Sequence, residues 1–259
     1  SSRTVNHGAT TTFTVTPDTG YGISSVTGCG GSGTTTYTTG AITGACTVSA
    51  TFTITANSLT ITKAGTGAGT VTSNVGGINC GGTCSATYNY GTVVTLTATP
   101  TVTPPTSGSV FAGWSGDTDC SDGSITITTV PKNCTATFSL MTGTLLPAPT
   151  SCTILSEESS CTKTLTWTTT NPIGTSAVTS ATGTPSPGTS ANNSSQTFTA
   201  PYNASGVRFY LYNSAVELAQ TTVNTLCTAG TTWNDSICAN DANSLTVAKA
   251  GTGAGTVTS

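Results

Sequence analysis

Ten cysteines carry most of the chemistry this 259-residue chain offers, and they fall into five neighbouring pairs: Cys29/Cys46, Cys80/Cys84, Cys120/Cys134, Cys152/Cys161 and Cys227/Cys238. An even count at short spacings reads as a disulfide framework formed in an oxidising space. Metal binding is the rival reading. Cys80-Gly-Gly-Thr-Cys84 has ligand-like spacing, but no second pair or neighbouring histidine brings the set to four, and His7 is the single histidine. With no Cys-x-x-Cys in the chain, thioredoxin-type exchange is not expected.

The other reactive groups do not assemble into a catalytic set. His7 stands in a turn-like Asn-His-Gly and reads as an exposed turn residue rather than a base. Glu157 and Glu158 are adjacent, so in extended chain they point apart, unlike a glycosidase pair. Asp117, Asp119 and Asp122 supply oxygens for Ca²⁺, but no EF-type loop or distal Glu follows them. Lys63, Lys132, Lys163 and Lys249 are candidates for side-chain isopeptide links, a staple the disulfides make superfluous. Nothing pairs a nucleophile with a base. The expectation is a protein with no catalytic residue, metal or cofactor, and not an enzyme.

Composition narrows the partners. Charged residues make up 6% of the chain against the roughly 25% usual in soluble domains, and Thr is about a quarter of it. Six Lys and Arg against nine acidic residues give a net charge of −3, which cannot neutralise a phosphate track, so no nucleic acid is expected. No apolar run approaches the ~18 residues of a membrane span. A start at Ser1, with neither Met nor a signal peptide, suggests a processed or excerpted product.

The elements that must position these residues are strands. Thr12–Thr16, Val93–Thr97, Ser124–Thr128 and Thr164–Thr168 alternate apolar residues with Thr at period two, and no stretch of ten residues shows a capped 3.6 period. Such strands bury one face and show hydroxyls on the other. The fold class is all-β.

The strands are organised as repeats. Ser58–Ser73 (SLTITKAGTGAGTVTS) and Ser244–Ser259 (SLTVAKAGTGAGTVTS) differ only at Ile61/Val247 and Thr62/Ala248. The internal copy opens a module that continues through a Cys80/Cys84 loop, the Val93–Thr97 strand, Phe111-Ala-Gly-Trp114 and a closing CTATF (Cys134–Phe138). Trp114 reads as its core anchor. Asn6–Pro17 aligns without gaps on Asn89–Pro100, deep inside that module, and CTVSATF (Cys46–Phe52) closes the first copy in the same way. Cys29/Cys46 then occupy the places of Cys120/Cys134, while Tyr21-Gly-Ile23 stands for Phe-x-Gly-Trp. The glycines of Gly65-Thr-Gly-Ala-Gly69 suit a tight turn.

The Gly-rich opening hairpin, the Gly-x-x-x-x-Leu/Phe-Thr strand, Phe-x-Gly-Trp and the terminal Ala-Thr-Phe together resemble the divergent internalin-type B repeat, a short β-rich bacterial surface module. The resemblance covers 1–140 and 243–259 and implies an extracellular or cell-surface setting in a bacterium. Beyond residue 142 the pattern changes to short strands with Trp167 and Val207–Tyr212, which looks like the Ig-like sandwiches of bacterial surface proteins. Cys152 and Cys161 are too close for an inter-sheet bridge and are expected to staple a hairpin of the first two strands. The expected organisation is therefore an incomplete module (1–56) lacking its opening hairpin, a complete module (57–141), an Ig-like β-sandwich (142–226), a disulfide-clipped linker (227–242) and the opening hairpin of a further module (243–259).

Three functions follow as expectations. The first is a structural subunit of an extracellular filament joined head to tail to itself. In it Leu245, Val247 and Val257 enter the core of a sheet that starts near Val5 and includes Phe13 and Val15. The second is one period of a covalent tandem-repeat adhesin stalk, in which the half-modules are continuous chain. The third is a carbohydrate-binding module, with Tyr202, Phe209, Tyr210 and Tyr212 as a sugar platform and a host surface or glycans as partner. Sequons at Asn192, Asn193, Asn203 and Asn234, and the Ser180–Ser190 stretch, are the candidate glycosylation positions.

Overall fold

A computed structural model describes residues 2–180, 191–242, 245–248 and 250–256. Lys249, Val257 and the stretch 181–190 lie outside the described residues. Among the described residues regular structure is strand, apart from a single 3-10 turn at Thr118–Cys120. The chain divides into two compact units, Ser1–Thr103 with Gly108–Met141, and Pro104–Ser107 with Thr142–Ser259. No helix among the described residues is long and apolar enough to cross a membrane.

The first unit holds two modules. The first module has β1 (Thr12–Thr14), β2 (Tyr21–Thr27), β3 (Thr36–Thr38) and β4 (Ser49–Ile54), joined as two antiparallel pairs, β1 with β3 and β2 with β4. The second has β5 (Ala56–Ala64), β6 (Gly69–Ser73), β7 (Ser85–Asn89), β8 (Val93–Pro100), β9 (Val102–Thr103), β10 (Ser107–Gly116), β11 (Ser124–Thr126) and β12 (Lys132–Leu140). These form a five-stranded sheet in the order β7-β5-β12-β10-β9 and a three-stranded sheet in the order β11-β8-β6. Period-two alternation decides the faces: on β8 Val94 and Leu96 are buried while Val93, Thr95 and Thr97 face water. Leu59, Ile61, Val71, Val94, Ile125, Ile127, Ala136 and Phe138 make the core. Trp114 packs on it half-buried, edge-on to Phe111 at 5.1 Å.

The second unit is a sandwich. It comprises β13 (Thr142–Leu146), β14 (Thr150–Ile154), β15 (Ser160–Thr170), β16 (Ser176–Thr179), β17 (Asn193–Pro201), β18 (Val207–Asn213) and β19 (Val216–Cys227). The sheet orders are β13-β15-β17 and β14-β19-β18-β16, the arrangement of an Ig-like fold whose first strand switches sheets. Leu145, Ile154, Leu165, Trp167, Phe209, Leu211 and Val223 meet in its core, and the Trp167 indole N–H donates to the Ala191 carbonyl at 2.7 Å. A hairpin of β20 (Thr231–Trp233) and β21 (Cys238–Asn240) follows. It is tied down by exchanged backbone bonds of Cys238 with Glu157 and Glu158, and by stacking of Trp233 on Tyr202 at 4.4 Å.

Five disulfides join the ten cysteines in the neighbouring pairs named above. The expected role of one is corrected. Cys152 lies on β14 and Cys161 on β15, strands of different sheets, so this bridge clamps the two layers of the sandwich rather than stapling a hydrogen-bonded hairpin. Pro147 and Pro149 separate β13 from β14 and let the first strand change sheets, which brings sequence neighbours face to face across the core.

Candidate subunit-joining site

The second module shows what an opening hairpin does once in place. β5 lies between β7 and β12, antiparallel to the first and parallel to the second, while β6 joins the other sheet antiparallel to β8. The expected opening hairpin is thus corrected in one respect: its two strands lie in different sheets and do not pair with each other, so this strand-turn-strand completes both sheets. Its inward side chains Leu59, Ile61 and Val71 are fully enclosed, a burial worth about 1.5–3 kcal/mol for each side chain of this kind. The turn between the strands closes over the end of β12, where the Gly67 N–H donates to the Phe138 carbonyl at 2.9 Å. Lys63 Nζ spans the same turn, donating to the Gly69 carbonyl at 3.0 Å.

The first module repeats the frame around that hairpin. Ile42 accepts from Gly8 N–H and donates to the Ala9 carbonyl, as Ile127 does with Gly91 and Thr92. The pairs Ile23–Phe52, Ser25–Thr51 and Val26–Ala50 match Phe111–Phe138, Gly113–Thr137 and Trp114–Ala136, with the same one-residue bulge. Two expectations change with this register. Ile23-Ser-Ser-Val26, not Tyr21-Gly-Ile23, stands where the second module has Phe-x-Gly-Trp. Val48 takes the strand position of Cys134, so Cys46 sits two residues before it, although the bridges have similar spans of 5.5 and 5.6 Å between Cα atoms.

Residues 2–56 contain no counterpart of β5 or β6, and two strand edges stand open as a result: β1 pairs with β3 alone and β4 with β2 alone. All six residues of β4 are exposed, whereas Cys134, Ala136 and Phe138 of β12 are buried. Phe52 is 44% exposed and Ile54 40%, against 1% for Phe138. Gly20, Tyr37 and Thr39 are the buried residues of this module among those described. A cleft of about 750 Å³ runs where the hairpin is missing. It is lined by Arg3 and Val5, in the stretch aligned with β7, by Cys46, Val48 and Ala50 at β4, and by Phe13 of β1.

Of the residues expected to join subunits, Val5 and Phe13 line this cleft, both half-buried. Val15 lies just past β1, half-buried, its N–H bonded to the Thr35 carbonyl at 2.8 Å, and is not part of the lining. Leu245 and Val247 are 88% and 58% exposed and belong to no strand, and Val257 is outside the described residues. Gly251 has φ +101°, close to the +93° of Gly65 at the same place in the repeat, so this tail residue already has the turn's backbone. Sequence reasoning missed Val48, Ala50, Phe52 and Ile54. The shared Ala-Thr-Phe was the available signal, but alternation does not reveal which strand a strand pairs with.

The three aspartates considered for Ca²⁺ are each engaged locally. Asp117 accepts the Asn133 N–H at 2.6 Å, Asp119 pairs with Lys132 at 3.2 Å and Asp122 accepts the Ser124 N–H at 2.9 Å. Among the described residues no His, Cys, Asp and Glu cluster is placed to hold a metal ion. Phe209, Tyr210 and Tyr212 are all buried and Tyr202 is stacked on Trp233, so these aromatics form no open sugar platform. Alternation suggested that half of that run would stay outside. All four residues of Phe209–Tyr212 are instead buried.

Comparison with curated proteins and with solved structures returns no match. The model of the divergent InlB B-repeat domain matches residues 1–56 and 59–142, more than half of the chain and both modules described above, and the chain belongs to that family of surface β-repeats.

Proposed function

We propose that this protein is a structural subunit of an extracellular filament, in which the 243–259 segment of one copy completes the first module of the next. Carrying the pairing of the second module over, the donor's first strand enters between residues 2–6 and β4. Leu245 then falls beside Cys46, and Val247 beside Val48. Its second strand runs along β1 and sets Val257 beside Val15. This is β-augmentation with an apolar payload: backbone hydrogen bonds satisfy two open edges while alternate side chains fill the cleft. Donor and acceptor are different surfaces of one molecule, so the contact is heterologous and propagates into a fibre.

The observation that carries this reading is the contrast between β4 and β12, the same strand in the same register, exposed where the hairpin is missing and buried where it is present. The experiment is sedimentation velocity on the chain with and without residues 243–259. Polymer from the whole chain and monomer from the shortened one support the proposal; polymer from both overturns it. The same edges would be filled from within one polypeptide if the chain were a period of a covalent repeat stalk. Reducing, denaturing electrophoresis of native material separates the two: a band near 25.6 kDa belongs to strand donation, a very large band to the stalk.

A further inference from the structure

Within the joining reading, we infer that Phe52 is the residue that sets the register and selects the partner, by seating in the glycine turn of the incoming tail. The second module contains the mechanism in finished form. Three alternate glycines of its turn crowd onto the end of β12. A Cβ on Gly65 would lie 2.0 Å from the Phe138 carbonyl oxygen, one on Gly67 2.7 Å from the Ser139 carbonyl carbon, and one on Gly69 2.2 Å from the Phe138 ring. No real Cβ tolerates such distances, so the turn fits over Phe138 only because it is Gly-x-Gly-x-Gly. The ring it covers is 1% exposed and packs edge-on against Phe111 at 5.7 Å.

Each half of that lock exists unpaired in the chain. Phe52 holds the position of Phe138 by register, opposite Ile23, and is 44% exposed. The tail repeats the glycine spacing as Gly251, Gly253 and Gly255, and a Cβ on Gly251 or Gly253 would meet nothing within 4 Å. Gly251 has its own reason to be glycine in a φ of +101°, whereas nothing in the free tail requires a glycine at Gly253. In the second module the counterpart of Gly253 abuts the backbone of β12 and that of Gly255 abuts the Phe138 ring, so closure over the acceptor strand supplies the reason. The partner this site accepts is thus a strand-turn-strand whose turn presents Gly at alternate positions, and a displacement by two residues would set the side chain of Val257 against the ring in one direction or that of Lys249 against the strand backbone in the other.

The test uses the whole chain with Gly255→Ala, Phe52→Ala and the two together, read as the protein concentration at which polymer forms in sedimentation velocity. Gly255 is the clean position because its counterpart Gly69 is not in the left-handed region, so an added methyl reports on space rather than backbone strain. Phe52→Ala is expected to raise that concentration about a hundredfold, from the loss of a ring that would otherwise become buried. Gly255→Ala should abolish polymer, and adding Phe52→Ala should restore assembly to the level of Phe52→Ala alone. Polymer unaffected by Gly255→Ala, or lost equally in the single and double variants, overturns this role for Phe52. Either outcome leaves the joining reading standing as long as deletion of 243–259 gives monomer. If the deleted chain polymerises, both fail.

Discussion

Phe52 lies opposite Ile23 in the register of β2 and β4, the position that Phe138 takes opposite Phe111 in the second module. One ring is largely open to water and the other is sealed beneath a turn. The most conspicuous difference around the two rings is the segment β5–β6, present over Phe138 and without a counterpart over Phe52.

The same substitution at the two positions should therefore have unequal effects. In the chain shortened by residues 243–259, Phe138→Ala is expected to destabilise the first unit by about 3–5 kcal/mol, as for a buried core ring. Phe52→Ala should change it by less than about 1 kcal/mol, as for an exposed site. Denaturant unfolding followed by amide hydrogen exchange of β8 and β12, in the first unit, checks both values. Equal losses would mean that Phe52 is already enclosed.

Charge in the donor strand should block joining without unfolding the donor. Leu245 and Val247 are exposed and outside any strand, so Leu245→Asp or Val247→Asp leaves the monomer's thermal midpoint within about 1 °C of the parent. Either change would replace an apolar side chain by a carboxylate on the face that meets Phe13, Val48 and Ala50 of the cleft. It should raise the concentration needed for polymer by at least about a hundredfold in sedimentation velocity, a cost of some 3 kcal/mol.

Supplying the hairpin within the same chain should stop growth. The second module uses residues 74–84 to pass from β6 to β7, which gives the length of link required. A chain carrying a second copy of residues 57–84 ahead of residue 2 is expected to be monomeric, with its first module completed internally. Size-exclusion chromatography with light scattering reads the outcome, and continued polymerisation would show that the first module is not the acceptor.

The disulfides act locally within modules. Cys120 and Cys134 are both buried and close a 14-residue span. Replacing both by Ser should cost about 3 kcal/mol in denaturant unfolding of the first unit, as for a loop of this length. The Cys152–Cys161 pair, in the second unit, should leave that transition unchanged.

Much of this was legible in the residues. Thr alternation in Thr164–Thr168 and Val93–Thr97 identified strands and their wet faces, because hydroxyls replace charge at every second position. The near-identity of Ser58–Ser73 and Ser244–Ser259 located the hairpin, and Asn6–Pro17 on Asn89–Pro100 located the module without one. What stayed hidden was pairing. Periodicity along β12 says which side chains are buried but not that its neighbour is the parallel β5, so β4 was overlooked as an acceptor and attention fell on Phe13 and Val15. The counterpart of the aromatic motif begins at Ile23 rather than Tyr21, a two-residue difference visible only in the strand register. The sheet switch between β13 and β14 likewise turned an apparent hairpin staple at Cys152–Cys161 into an inter-sheet clamp.

The most direct test of the account is amide hydrogen exchange on the chain lacking residues 243–259, measured with and without a synthetic peptide of that sequence. The account predicts that the peptide slows exchange in Ser49–Ile54 and Thr12–Thr14, the strands with open edges, and leaves β12 and the second unit as they were. Unchanged exchange in β1 and β4 at saturating peptide would contradict it.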